Sequence, residues 1–124
     1  MNLLYISIFG VLGVLSRYSI DLYLSNKEYL FPYPTLLVNL IGSILAGFLY
    51  TVALEKTASS TIYIPLIIGF CGGLTTFSSL TLQSFNMIQQ GHLFRPFIYL
   101  TGSCGIGVIC VFIGNKIAKN IILS

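Results

Sequence analysis

Apolar residues run along the chain in four long blocks, separated by short connections that hold most of its charge. The blocks cover about 3–24, 34–54, 62–90 and 97–117. Each is long enough to cross a bilayer as a helix, which takes about 20 residues. In three of them small or polar residues recur every three or four positions and so share a helical face. That face carries Ser7, Gly10, Val14, Arg17 and Asp21 in the first block, with Gly13 close by. In the second it carries Asn39, Gly42, Ser43, Ala46, Gly47 and Tyr50; in the fourth, Tyr99, Ser103, Gly107, Cys110 and Gly114. Small-residue faces let helix backbones approach closely in lipid.

The third block departs from this pattern. Gly69-Phe70-Cys71-Gly72-Gly73-Leu74-Thr75-Thr76-Phe77-Ser78-Ser79 sets glycines and a run of hydroxyls into its middle. Each glycine costs a continuing helix about 1 kcal/mol. In lipid, any backbone group released by a break must find a partner inside the protein. The stretch predicts a third helix broken mid-membrane, a feature that marks sites for ions or polar substrates. Beyond it Thr76, Ser79, Gln83, Asn86 and Gln90 make a polar stripe too wet for lipid, predicted to face a cavity or a partner.

Composition narrows the class. Of the 124 residues, 56% are hydrophobic and 7% charged, against about 25% charged in a soluble domain. The mean hydropathy is +0.93. The expectation is an all-α membrane protein, a single domain of four transmembrane helices, with no extramembrane region large enough for a soluble catalytic domain. No Lys or Arg precedes the first apolar run, so that span is expected to be retained rather than cleaved as a signal peptide. Cys71, Cys104 and Cys110 form no CxxC pair and read as small apolar side chains. His92 is the only histidine, which argues against a His-based metal site. A net charge of +3 without a basic cluster offers nucleic acid no footprint. Asp21, Glu28 and Glu55 are the only carboxylates, and no nucleophile–base set, HExxH or P-loop can be assembled. The chain is not expected to be an enzyme.

Charge also bears on orientation. With four spans, one membrane face holds Lys56, Lys116 and Lys119; the other holds Lys27 and Arg95, plus Arg17 if it snorkels outward. The positive-inside rule then gives almost no preference. A chain without preference can insert both ways, so two copies can pair antiparallel about an axis in the membrane plane.

An ion path needs groups that replace hydration water. Carbonyls freed around Gly72, Gly73, Leu74 and Thr75 suit a cation. The N–H groups opening the next helix, near Thr76 and Phe77, suit an anion. Ser78, Ser79 and Thr81 add hydroxyl donors, and the positive edge of the Phe77 ring can line an anion path. Asn39 has two readings: an interhelical hydrogen bond, or an NH2 donor offered to a passing anion. Arg17 has two as well: a snorkelling partner of Asp21, or a cation at the mouth of an anion pathway.

These residues resemble the Fluc (CrcB) fluoride channels, and the resemblance covers essentially the whole chain. Gly10-Val11-Leu12-Gly13-Val14-Leu15-Ser16-Arg17-Tyr18 is similar to the family's Gly-x-x-Gly-x-x-x-Arg-Tyr. Thr35-Leu36-Leu37-Val38-Asn39-Leu40-Ile41-Gly42 is similar to its Thr-x-x-Val-Asn-x-x-Gly, and 69–78 to its most specific signature. The resemblance implies a fluoride-specific channel in the bacterial inner membrane, conferring fluoride resistance by passive efflux. It implies an antiparallel, dual-topology homodimer embedded in the lipid bilayer, with a structural sodium ion held at its centre by the carbonyls of Gly72 and Thr75. It places Asn39, Phe77, Ser78, Ser79, Tyr99 and Ser103 along the fluoride pore and Arg17 in the vestibule. The family usually writes Thr-Thr-Phe-Ser-Thr-Phe where this chain has Thr75-Thr76-Phe77-Ser78-Ser79-Leu80. Leu80 has no ring edge, which raises a heterodimer with a paralogous chain as an alternative assembly. A small multidrug-type, proton-coupled exporter is the alternative function; it needs a carboxylate inside the membrane, and Asp21 lies near a span end. A scaffold subunit without transport would leave the break and the polar stripe without a purpose.

Overall fold

The structure, a computed structural model, describes residues 2–24, 31–55 and 60–123. Lys27, Glu28 and Lys56 lie outside the described residues. The chain forms α1 (Asn2–Leu24), α2 (Tyr33–Glu55), α3 (Ser60–Ile64), a π-helical segment (Pro65–Cys71), α4 (Gly72–Leu74), α5 (Phe77–Gln89) and α6 (Phe94–Leu123). No strand occurs among the described residues.

Among the described residues, four stretches are long and apolar enough to cross a membrane: Leu3–Leu24, Tyr33–Glu55, Ile62–Gln89 and Phe94–Ile122. Their outer faces are apolar, as Leu4, Val11, Leu15, Ile68, Phe97 and Phe112 illustrate, all exposed. An apolar exterior of this extent suits lipid and not water. The last helix is longer than the 97–117 read from hydropathy. It begins at Phe94 because Pro96 falls in its first turn, where the missing N–H costs nothing. It runs on through Lys116 and Lys119 to Leu123. Gly91, at φ 84, turns the chain between α5 and α6.

Two close backbone contacts organise the bundle. α1 packs mainly on the π-helical segment and α4, and α2 mainly on α6. In the first contact a Cβ on Gly69 would stand 2.7 Å from the Ile6 carbonyl oxygen. One on Gly73 would stand 2.5 Å from the Gly10 oxygen. In the second, a Cβ on Gly114 would stand 2.8 Å from the Phe48 nitrogen. These glycines let main chains touch, as small residues do in membrane bundles. Leu80, Met87 and Tyr99 form a buried cluster beneath Phe31, Leu36 and Leu100.

Candidate functional site

The third segment changes its helical form once and then leaves the helical path once. A π-helical stretch, uncommon and frequently found at functional sites, leads into the single turn α4. Thr75 (φ −80, ψ 153) and Thr76 (φ −149, ψ 119) are then extended, and α5 starts at Phe77. Thr76 caps α5 by accepting the Ser79 N–H on Oγ1 at 3.1 Å, as a Thr at this position should.

Two side chains from other helices hold this interruption. Asn39 of α2 runs along Thr76 as a neighbouring strand would. Its Oδ1 accepts the Thr76 N–H at 2.7 Å, and its Nδ2 donates to the Thr76 carbonyl at 3.3 Å. From α1, Arg17 Nε donates to the Gly73 carbonyl at 3.2 Å. Within the segment, the N–H and Oγ1 of Thr75 both donate to the Cys71 carbonyl at 2.9 Å. Among the described residues, no hydrogen bond then reaches the carbonyls of Gly72 and Thr75. The N–H groups of Phe77 and Ser78 open α5 without a capping partner among the described residues. The stretch therefore offers negative carbonyl oxygens on one side and positive amide hydrogens on the other.

A groove of about 430 Å³ lies against it, between α2, the start of α5 and α6. Asn39, Thr75, Thr76, Phe77, Leu80 and Ser103 are among its lining. Phe77 is 70% exposed. Ser103 Oγ is buried with no hydrogen-bond partner, so it has a donor to spare. A second cavity of about 300 Å³ continues between α2 and α6 past Val108 and Val111 toward Tyr50, Thr51 and Asn115.

Of the residues singled out from sequence, Asn39, Thr75, Phe77 and Ser103 meet in this groove. Gly72 is exposed, with nothing within 4 Å of a Cβ placed on it. Ser78 and Ser79 sit beside the cap, each 3.1 Å from Thr76 Oγ1, and are not part of the lining. Arg17 approaches from α1, and its hydrogen bond goes to Gly73 and not to Asp21. Tyr99, 2% exposed, sits in the buried cluster, where its OH donates to Gln83 Oε1 at 2.9 Å. Gln83 Nε2 in turn donates to Thr35 Oγ1 at 2.7 Å. This Thr35–Gln83–Tyr99 chain is not visible as a unit in the sequence. Its signals were the spacings of four from Thr35 to Asn39 and from Ser79 to Gln83. A hydrogen bond of 2.8 Å from Asn115 Nδ2 to Thr51 Oγ1 likewise leaves no pairing signal in the sequence, although an Asn in an apolar span is itself a flag.

The family model described as "CrcB-like protein, Camphor Resistance (CrcB)" matches residues 4–115. A protein named "Fluoride-specific ion channel FluC" from Roseiflexus sp. (strain RS-1) is 33% identical over 121 residues, which cover 96% of this chain and 98% of that protein. One of the same name from Geobacter sp. (strain M21) is 37% identical over 124 residues, covering 95% and 97%. A third, from Legionella pneumophila (strain Paris), is 38% identical over 121 residues, covering 96% and 90%.

Proposed function

The chain belongs to the CrcB-like protein family, and from that premise we propose that it is a fluoride-specific channel, letting cytoplasmic fluoride leave passively across a bacterial inner membrane. The observation that carries this reading is the groove at the interrupted third segment, where donors without a partner among the described residues gather at membrane depth and no carboxylate stands in the lining. Fluoride is small and strongly hydrated, so a path for it must return the hydrogen bonds that it gives up. Here those donors are the second N–H of Asn39 Nδ2, the free hydroxyl of Ser103, and the N–H groups that open α5. The edge of the exposed Phe77 ring adds weaker positive charge. A permanent negative charge in the lining would repel the ion, and none of the lining residues carries one.

The groove is open along one side, and an ion path through lipid must be closed all round. A second copy of the chain in the opposite orientation closes it in this reading. The near-even charge of the two faces favours such a dual-topology homodimer over a pair of unlike chains. The Gly72 and Thr75 carbonyls fit a structural sodium ion: they are hard oxygen donors, no hydrogen bond reaches them among the described residues, and Gly72 borders open space. Sodium bound there supplies a fixed positive charge beside the anion path. Asn39 and Arg17 keep those carbonyls in place, and Phe77 and Ser103 line the way past them.

The test is fluoride efflux from liposomes holding the purified protein, followed with a fluoride electrode. Release much faster than from protein-free vesicles, with chloride retained, is the expected result. Release at the protein-free rate ends the proposal.

A further inference from the structure

We propose that Arg17 is a positioning residue of the cation site: by holding the Gly73 carbonyl it fixes the direction of the neighbouring Gly72 and Thr75 carbonyls, and so sets the affinity of the interruption for sodium. This rests on the sodium reading above.

The geometry is specific. Gly10 and Gly13 bring α1 into backbone contact with the third segment, and Arg17 follows Gly13 by one helical turn. That places its Nε 3.2 Å from the Gly73 oxygen, across 56 residues of sequence. Gly72 and Gly73 are adjacent and lack Cβ atoms, so the backbone here is intrinsically freer than one carrying side chains, although Gly73 packs against α1. The Gly72 N–H donates back to the Gly69 and Ile67 carbonyls, but nothing stands within 4 Å of a Cβ built on Gly72 and, among the described residues, no hydrogen bond reaches its own carbonyl. Restraint must come from the neighbours. Downstream, Asn39 grips both polar groups of Thr76. Upstream, Thr75 Oγ1 donates within the segment to Cys71, and the side-chain hydrogen bond from another helix is the one from Arg17. Thr75 lies between the two anchors and Gly72 beside one of them, so the carbonyls that would hold sodium are held through anchored neighbours.

Charge and hydrogen bonding act in opposite directions here. The guanidinium repels a nearby cation, while its hydrogen bond orders the carbonyls that bind it. Two neutral variants separate these effects. In Arg17→Gln the side-chain Nε2 stands the same number of bonds from Cα as the arginine Nε and can still donate to Gly73. In Arg17→Met the side chain has the same reach and no donor. Both remove the charge equally.

The experiment measures the rise in melting temperature of the detergent-purified protein as sodium replaces N-methylglucamine. The sodium midpoint of Arg17→Met is expected to lie roughly tenfold above that of Arg17→Gln, a shift of the size that one lost charge-neutral hydrogen bond gives. Equal midpoints overturn the proposal. A wild-type melting temperature indifferent to sodium removes the sodium site itself, and the proposal with it. If Arg17→Met does not fold, the wild type decides alone. Arg17 and Arg95 are the only arginines, so ¹⁵N labelling of arginine gives two Nε signals. Sodium is expected to shift the Arg17 signal and leave that of Arg95 in place. An Arg17 signal that ignores sodium, while the melting temperature responds, overturns the proposal.

Discussion

Asn39→Asp separates the hold that this side chain has on Thr76 from its proposed place in the fluoride path. In the native protein Oδ1 accepts the Thr76 N–H at 2.7 Å and Nδ2 donates to the Thr76 carbonyl at 3.3 Å. Aspartate keeps the first bond, with a carboxylate oxygen as acceptor. It loses the second, worth about 1 kcal/mol net. The interruption should therefore survive with a small loss of melting temperature. Conduction should not. A carboxylate about 4 Å from a passing fluoride, at an effective dielectric constant of about 20, repels it by about 4 kcal/mol. That corresponds to roughly a thousandfold fall in flux. Asn39→Leu should behave differently. It strands the Thr76 N–H, at a cost of about 1–3 kcal/mol, and should lower the melting temperature clearly more than aspartate does. The assays are fluoride efflux from liposomes and thermal unfolding in detergent. Asn39→Asp conducting at the native rate would take Asn39 out of the path. Asn39→Leu melting at the native temperature would refute its role in holding Thr76.

Phe77 is largely exposed in the groove, so Phe77→Leu should leave folding intact. Efflux should drop roughly tenfold, in line with the ~0.5–1.5 kcal/mol typical of aromatic edge contacts; unchanged efflux would remove the ring from the path. Gly73→Ala would set its Cβ 2.5 Å from the Gly10 oxygen and 3.1 Å from the Val14 nitrogen, both main-chain atoms. It should abolish folded protein on size-exclusion chromatography, while Gly72→Ala, which meets nothing within 4 Å, should be recovered normally. Two lysines added after Ser124 should bias insertion to one orientation and suppress efflux from cells expressing that chain alone. Co-expression with a chain biased the other way should restore it, and undiminished efflux from the biased chain alone would count against antiparallel pairing.

The membrane-spanning helices are legible in the sequence because hydropathy and length report directly on what lipid requires. The same signal misjudges the start of α6, since Pro96 reads as a stop when it stands in a first helical turn. The π-helical stretch at Pro65–Cys71 leaves no mark in a hydropathy pattern. At the candidate site the types of residue were legible and their partners were not. Periodicity reports neighbours on one helix, so it pairs Arg17 with Asp21; the structure joins Arg17 to a carbonyl 56 residues away. Spacing sets Tyr99 and Ser103 on one seam of the fourth span. In the structure Ser103 faces the groove, while Tyr99 turns to Gln83 and Thr35 beneath it. The seam divides because the Tyr99 hydroxyl finds its acceptor on α5, and that acceptor depends on how α5 sits against α6.

Which backbone groups are satisfied from within indicates what the rest must meet from outside. An interrupted helix in lipid cannot leave its amides and carbonyls unpaired. At this interruption the groups facing α1 and α2 are taken: Gly73 by Arg17, and both polar groups of Thr76 by Asn39. Among the described residues, the carbonyls of Gly72 and Thr75 and the first amides of α5 remain, with an unpartnered serine hydroxyl close by. These leftovers carry opposite signs. One ligand cannot serve both, whereas a cation beside an anion path serves both at once. Leu80 lies under this arrangement at 4% exposure, packed with Met87 and Tyr99. A ring at that position would have to displace the buried cluster or turn out into the groove. In the proposed path, leucine at this position would support the floor of the groove while the exposed Phe77 would supply the ring edge.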